Sequence, residues 1–377
     1  MPAQARIRQN QHTGPSLDRS GPILRLKLAT FSPCVLTQAG LEVRVHCSHR
    51  SGSRQCPAVL AVPRSLLAIL DRTQKLGSGL VLLTVLQNLS RHVRPPGGIV
   101  QRVLMRKILL PGASLSCSHF IFGCAGLFNV GTQKRRLAVL ETAVDSGFSH
   151  FDTAPYYGFG MAERDLADVL KRHHHVTLTT KVGIYSPGGE NQSFGQIFLR
   201  KAGGQFLPDL SRPTISFELA RARKSLEGSL YRLGRDHIDL YMLHEPQVEL
   251  VATDEWRRWL QTLKMSGVIG DFGIAATAER VQGFLQKAPE LAPVVQTVDS
   301  LDRREADVLT VYGRPLQITY GYLSAARERG DLRSVSEILH AALRRNPEGA
   351  LIVSTRRIER LPQYRAILEA LHDEANA

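Results

Sequence analysis

Four residues able to move a proton or steady a charge lie at or just after apolar runs. Asp152 and Tyr157 occur in Gly147-Phe-Ser-His-Phe-Asp152-Thr-Ala-Pro-Tyr-Tyr157-Gly158, Lys181 ends Leu178-Thr-Thr-Lys181, and His244 follows Asp239-Leu-Tyr-Met-Leu. A free tyrosine has a pKa of about 10, so alone it exchanges protons slowly near neutrality. A neighbouring ammonium favours the phenolate and lowers that pKa, and a carboxylate paired with the ammonium holds it in place. An imidazole beside them can hydrogen-bond a substrate oxygen and stabilise negative charge as it develops. Four ionisable or hydrogen-bonding residues, each ending or following an apolar run, suggest one site at one edge of a parallel sheet. Taken singly, Asp152 can cap a turn, Lys181 can be a surface charge and His244 a satisfied buried histidine; Tyr156 stands beside Tyr157 as a second phenol.

For these residues to meet, their runs must be neighbouring strands of one sheet. Apolar periodicity from residue 120 onward alternates between the two regular structures. Strands are expected at 120–126, 150–154, 176–182, 238–243, 270–275, 294–298, 316–320 and 350–354, and helices at 133–146, 161–172, 216–233, 255–265, 278–287, 304–312, 335–345 and 357–371. Eight such units predict an α/β protein, a (β/α)8 TIM barrel, with chemistry at the carboxyl ends of its strands. Ahead of it, residues 106–116 read as a hairpin turning at Pro111-Gly112. The Gly-, Ser- and Pro-rich connection 183–213 far exceeds the usual two to six residues of such links and reads as a lid or substrate wall.

Composition is globular, with 43% hydrophobic and 22% charged residues in 377. The net charge of +14 is unevenly spread: residues 1–104 hold 14 basic and 3 acidic residues, so 14 − 3 = +11, and the remainder gives 34 − 31 = +3. The expected division is a basic, poorly structured N-terminal extension, 1–104, and a barrel, 105–377. The extension has the composition of a transit peptide or nucleic-acid-binding arm; a start at Met105 would make it an over-extended reading frame. No nucleic-acid partner is expected of the barrel. Cys34, Cys47, His49 and Cys56 match no common zinc spacing, and five cysteines without a framework read as reduced thiols in a cytoplasmic protein. The apolar run 76–89 falls short of the ~20 residues a membrane span needs. His173-His174-His175 reads as a solvated helix end rather than a metal site, and 221–235 as an amphipathic outer helix.

With these motifs in this order, residues 106–377 resemble an aldo-keto reductase, through Gly147 to Gly158 with Glu163, Thr180-Lys-Val-Gly and Asp239-Leu-Tyr-Met-Leu-His. The resemblance implies NAD(P)(H)-dependent interconversion of a carbonyl (aldehyde, ketone or sugar) and its alcohol. It gives Tyr157 the proton donor's role, since the five-residue step from Asp152 fits Tyr157 and not Tyr156, with Asp152, Lys181 and His244 as its catalytic companions. It implies Gln296 at the nicotinamide carboxamide, Tyr320 stacked on the ring, and Ser354, Thr355 and Arg360 at the adenosine phosphate. An arginine can pair with a 2′-phosphate through two parallel bonds, which favours NADP(H) over NAD(H), although Ser354 replaces the family's usual lysine. Where the family usually has Gly-Val-Ser-Asn this chain has Gly273-Ile-Ala-Ala276, without two side-chain hydrogen bonds to the carboxamide. Two alternatives follow: Gly160-Met-Ala-Glu163 resembles the aldose dehydrogenase branch, which oxidises sugars, and Ala275-Ala276 suits a cofactor-binding barrel without turnover.

Overall fold

The computed structural model describes Met105, residues 107–193 and 212–376, and a few short pieces elsewhere. By internal contacts the chain divides into two units, Met1–Gly98 and Ile99–Ala377. In the first, Leu36–Thr37 pairs antiparallel with Gly40–Leu41; the expected lack of structure over 1–104 and Cys34, Cys47 and Cys56 lie outside the described residues.

The second unit begins with a hairpin, β1 (Lys107–Leu109) and β2 (Ser116–Ser118), turning through Gly112 at φ 80°. Eight parallel strands then close a barrel: β3 (Phe120–Gly123), β4 (His150–Asp152), β5 (Thr177–Val182), β8 (Ile238–His244), β9 (Ile269–Ala275), β10 (Val294–Val298), β11 (Ile318–Tyr320) and β12 (Ala350–Val353), which pairs back onto β3. Between β5 and β8, the two-residue strands β6 (Ile184–Tyr185) and β7 (Thr214–Ile215) pair antiparallel and join the two ends of the long connection. The barrel strands are buried along nearly their whole length, as parallel strands covered on both faces must be.

Helices α1 (Gln133–Asp145), α2 (Met161–Arg172), α3 (Leu219–Leu233), α4 (Thr253–Met265), α5 (Ala278–Lys287), α6 (Asp307–Val311), α7 (Tyr322–Glu328), α8 (Val335–Arg345) and α9 (Leu361–Asn376) follow the strands. Their limits have local causes. Thr132 accepts from Arg135 N at the start of α1, Ser334 and Glu337 form a reciprocal capping box at α8, and Gly234 at φ 62° ends α3. The expected helix 304–312 is shorter, because residues 299–306 wind around the Asp299 carboxylate, which accepts from Ala306 N at 3.1 Å. α7 was not expected; Gly321, at φ 106°, makes the turn that starts it.

Among the described residues two large apolar cores result, beside a small cluster of Phe159 and Met161. One fills the space between strands and helices and includes Phe122, Phe151, Tyr241 and Trp256. The other fills the barrel's amino end, where Leu110, Leu115 and Cys117 of the hairpin meet Ile121, Leu240, Met242 and Ile318. The hairpin is also tied by Ser114 N to Asp271 Oδ2 at 2.7 Å and Gln317 Nε2 to Pro111 O at 2.7 Å. The lower end is thereby packed shut, and the opposite end carries the cleft. Among the described residues no helix is long and apolar enough to cross a membrane.

Candidate active site

Parallel strands put all their carboxyl ends at one mouth, and that is how residues nearly a hundred positions apart come together. Asp152 ends β4, Lys181 is the penultimate residue of β5, His244 ends β8, and Tyr320 ends β11, while Gln296 is midway along β10. Register aligns them in sequence: Lys181 lies beside Met242, His244 beside Ala275, and Ala275 beside Gln296. Tyr157 comes from the turn between β4 and α2, where Gly158 and Gly160 take φ 60° and 79°. At Gly160 an added Cβ would also meet Glu190 O at 2.2 Å, so only glycine fits. A cavity of about 290 Å³ is lined by Asp152, Tyr157, Lys181, His244, Gln296 and Tyr320, among others.

Lys181 is the hub. Its Nζ donates to Asp152 Oδ1 and Oδ2 at 2.7 and 2.6 Å, to Thr153 O at 3.0 Å and to Tyr157 Oη at 3.2 Å, and only 1% of the residue is exposed. Tyr156 makes no such contact. Burial disfavours the ammonium, but the Asp152 carboxylate and the Tyr157 phenol outweigh it, so Lys181 is held protonated above its ordinary range. Burial pushes the Asp152 carboxyl upward against the pull of Lys181 and a hydrogen bond from Gln296. Burial likewise pushes the Tyr157 phenol up, and the opposing ammonium does not overcome it. This corrects the expectation of a lowered phenol: desolvating an anion in this enclosed site costs more than one ammonium, already shared with Asp152, returns. The phenol therefore carries its proton.

The Tyr157 ring meets the His244 ring edge-on, with centroids 5.8 Å apart. Burial, and then the Lys181 charge, lower His244 to about 3, so its imidazole is neutral. Neutrality lets one ring nitrogen donate while the other accepts.

The cofactor-side residues divide. Gln296 Oε1 is buried without a hydrogen-bond partner among the described residues, which suits an N–H donor such as a primary amide. Tyr320 and Ser354 line the cleft, with Ser354 Oγ donating to Gly123 O at 2.8 Å. Thr355 does not line it; its hydroxyl accepts from Arg357 N at 3.1 Å. Arg360 lines a separate cavity of about 310 Å³ with Val335, Ser336 and Tyr364. Ala275 and Ala276 are buried and bring no side-chain donor.

Buried ion pairs behind the cleft were not read from sequence. Glu163 is fully buried and accepts from Thr180 Oγ1 and from Arg232 Nε, both at 2.7 Å. Arg232 thus turns inward from the stretch read as an amphipathic outer helix. Asp299 accepts from Arg345 Nε at 2.6 Å and Tyr322 Oη at 2.5 Å, fixing the segment that follows Tyr320. A buried carboxylate needs such partners, but the sequence separation hides which cation serves. Of the three consecutive histidines, His173 pairs with Glu141 at 2.7 Å. Arg164 Nη1 donates to Glu190 O at 2.7 Å and secures the start of the long connection.

Residues 120–311 match the aldo/keto reductase family, and the chain belongs to that family. Among characterised and uncharacterised relatives it is similar to the oxidoreductase YqkF of Bacillus subtilis, 29% identical over 208 residues, covering 54% of this chain and 60% of that protein. It is 33% identical over 163 residues to D-threo-aldose 1-dehydrogenase of Pseudomonas sp, covering 40% of this chain and 48% of that protein. The chain therefore matches these relatives over 60% and 48% of their lengths. A solved aldo-keto reductase from Pseudomonas aeruginosa shares the fold, with TM-score 0.55 and 21% identity over 73% of this chain and 99% of that one.

Proposed function

We propose that this protein is an NAD(P)(H)-dependent oxidoreductase that interconverts a carbonyl and the corresponding alcohol, with Tyr157 as the group that gives and takes the proton. The observation that carries the reading is the bond from Lys181 Nζ to Tyr157 Oη at 3.2 Å, inside a buried cluster at the mouth of the barrel. A nicotinamide cofactor, when bound, supplies the hydride for reduction and accepts it in oxidation.

Tyr157 holds its proton and donates it to the substrate oxygen as negative charge grows there. Lys181 stabilises the phenolate left behind, and Asp152 with Thr153 O keeps the ammonium aimed. The neutral His244 imidazole donates to the same substrate oxygen and orients it. Gln296 would accept from the carboxamide through its buried, unpartnered oxygen, and Tyr320 would flank the ring. The family resemblance assigns Ser354, Thr355 and Arg360 to the adenosine phosphate, Ser354 from the cleft and Arg360 from its separate cavity. The Arg360 guanidinium favours NADP(H) over NAD(H) because it can meet a 2′-phosphate with two bonds.

Tyr157→Phe and Tyr156→Phe test the assignment in a nicotinamide absorbance assay with both cofactors. The expected result is a kcat loss of about 10²- to 10⁴-fold in Tyr157→Phe, with cofactor affinity kept and Tyr156→Phe close to the parent. Equal activity of Tyr157→Phe and the parent would overturn the role.

A further inference from the structure

Glu245 is the acidic residue on the rim of this cleft that the hydride-transfer scheme leaves without a task. It follows His244 directly, lines the same cavity, and adopts φ 51°, a left-handed conformation that costs a side-chain-bearing residue roughly 1 kcal/mol or more. Its backbone is fully engaged: Glu245 N donates to Ala275 O at 2.7 Å, and Glu245 O accepts from Arg280 Nη1 at 2.7 Å. The same Arg280 nitrogen donates to carboxylate Oε2 at 3.0 Å, and Thr277 N approaches that oxygen at 3.4 Å. The other carboxylate oxygen, Oε1, accepts no hydrogen bond among the described residues. The charge is felt within the cleft, since after burial it is the next influence raising the Tyr320 phenol, to about 12.

One oxygen is therefore fixed to the barrel and the other is left to accept, beside the residue that orients the substrate oxygen. The geometry points to Glu245 as a specificity-determining residue that accepts hydroxyl hydrogen bonds from a substrate carrying hydroxyls next to its reacting carbon, a polyhydroxylated aldehyde or aldose. This rests on the oxidoreductase reading of the site. A carboxylate that has lost water on entry of an apolar aldehyde gains nothing in return, whereas a hydroxyl restores a charged hydrogen bond; sites built this way discriminate between substrates with and without the group.

The test compares glyceraldehyde with propanal, which have the same carbon count and differ in hydroxyls, on the full chain and on Glu245→Ala and Glu245→Asn. Asparagine tolerates the left-handed backbone, so it guards against misfolding. The parent is expected to favour glyceraldehyde in kcat/KM by about 10- to 100-fold. Glu245→Ala reduces that ratio toward one, chiefly through the KM for glyceraldehyde, and Glu245→Asn keeps part of it. Cofactor Kd is followed by fluorescence. An unchanged ratio in both variants overturns the proposal while leaving the oxidoreductase reading intact, as does an equal loss for both aldehydes that tracks a weakened cofactor Kd. Turnover of neither aldehyde by the parent overturns the proposal together with the reading it rests on.

Discussion

Replacing Lys181 by methionine removes the hub of the site and strands a carboxylate. Asp152 is only 4% exposed, and its two oxygens are both held by Lys181 Nζ. Breaking a buried pair by deleting one partner costs about 3–5 kcal/mol. The same figure follows from protonation. A stranded Asp152 folds as the neutral acid, and neutralising a carboxyl of ordinary pKa about 3.9 at pH 7 costs about 4 kcal/mol. At pH 5 the same step costs only about 1.5 kcal/mol. Urea unfolding of Lys181→Met should therefore show a deficit that shrinks by more than half between pH 7 and pH 5. The double variant Lys181→Met/Asp152→Asn, with no charge to strand, should recover most of the stability at both pH values. Neither variant should recover turnover, since the phenolate loses its cation in both; kcat should fall by about 10²- to 10⁴-fold. A deficit independent of pH, or an active double variant, would refute the picture of a charged, buried pair serving Tyr157.

Two pH predictions follow from the same burial. Because the Tyr157 phenol is pushed up, reduction should show no alkaline limb from this group below about pH 10, whereas oxidation, which needs the phenolate, should rise about tenfold per pH unit between 7 and 9; parallel pH profiles for the two directions would contradict this. His150 is fully buried between Thr177 Oγ1 and Thr179 Oγ1, each at 2.8 Å, and burial with the Lys181 charge lowers it from 6.5 to about 3. Its folded value lies below its unfolded one, so its contribution is complete above pH 6.5 and is lost as pH falls toward 3. That loss amounts to about 2 kcal/mol by pH 5. His150→Gln should flatten this acid limb in urea titrations, and an unaltered limb would show that other groups govern it.

The barrel was legible because its strands are short apolar runs spaced by amphipathic helices, and the residues at the mouth were legible because each interrupts such a run with a polar group. Lys181 shows why this works: alone after Leu178-Thr-Thr it could be a surface charge, and it stood out only in company with Asp152, Tyr157 and His244 at matching strand ends. Partners set by tertiary packing were not legible. Glu163 and Arg232 lie on different helices 69 positions apart, and nothing local distinguishes Arg232 from the outward bases near it. α7 was missed because its 7 residues directly behind Gly321 are too few to show a helical period, although its first residue, Tyr322, is anchored by a distant aspartate. The phenol's direction was misjudged for a related reason: sequence shows the neighbouring ammonium but not the depth of burial that opposes it.

The antiparallel pair β6–β7 has an evolutionary corollary. It fastens Ile184–Tyr185 to Thr214–Ile215, so the residues between start and finish at neighbouring points whatever they contain. The entropy of closing a loop rises only logarithmically, and doubling its length costs about 0.6 kcal/mol. A change in length between 194 and 211 therefore adds little closure entropy, provided that Glu190, which accepts from Arg164 and lies against Gly160, is kept. A lineage can lengthen or shorten that stretch at little cost in closure entropy so long as the β6–β7 pair and the Glu190 anchor are retained.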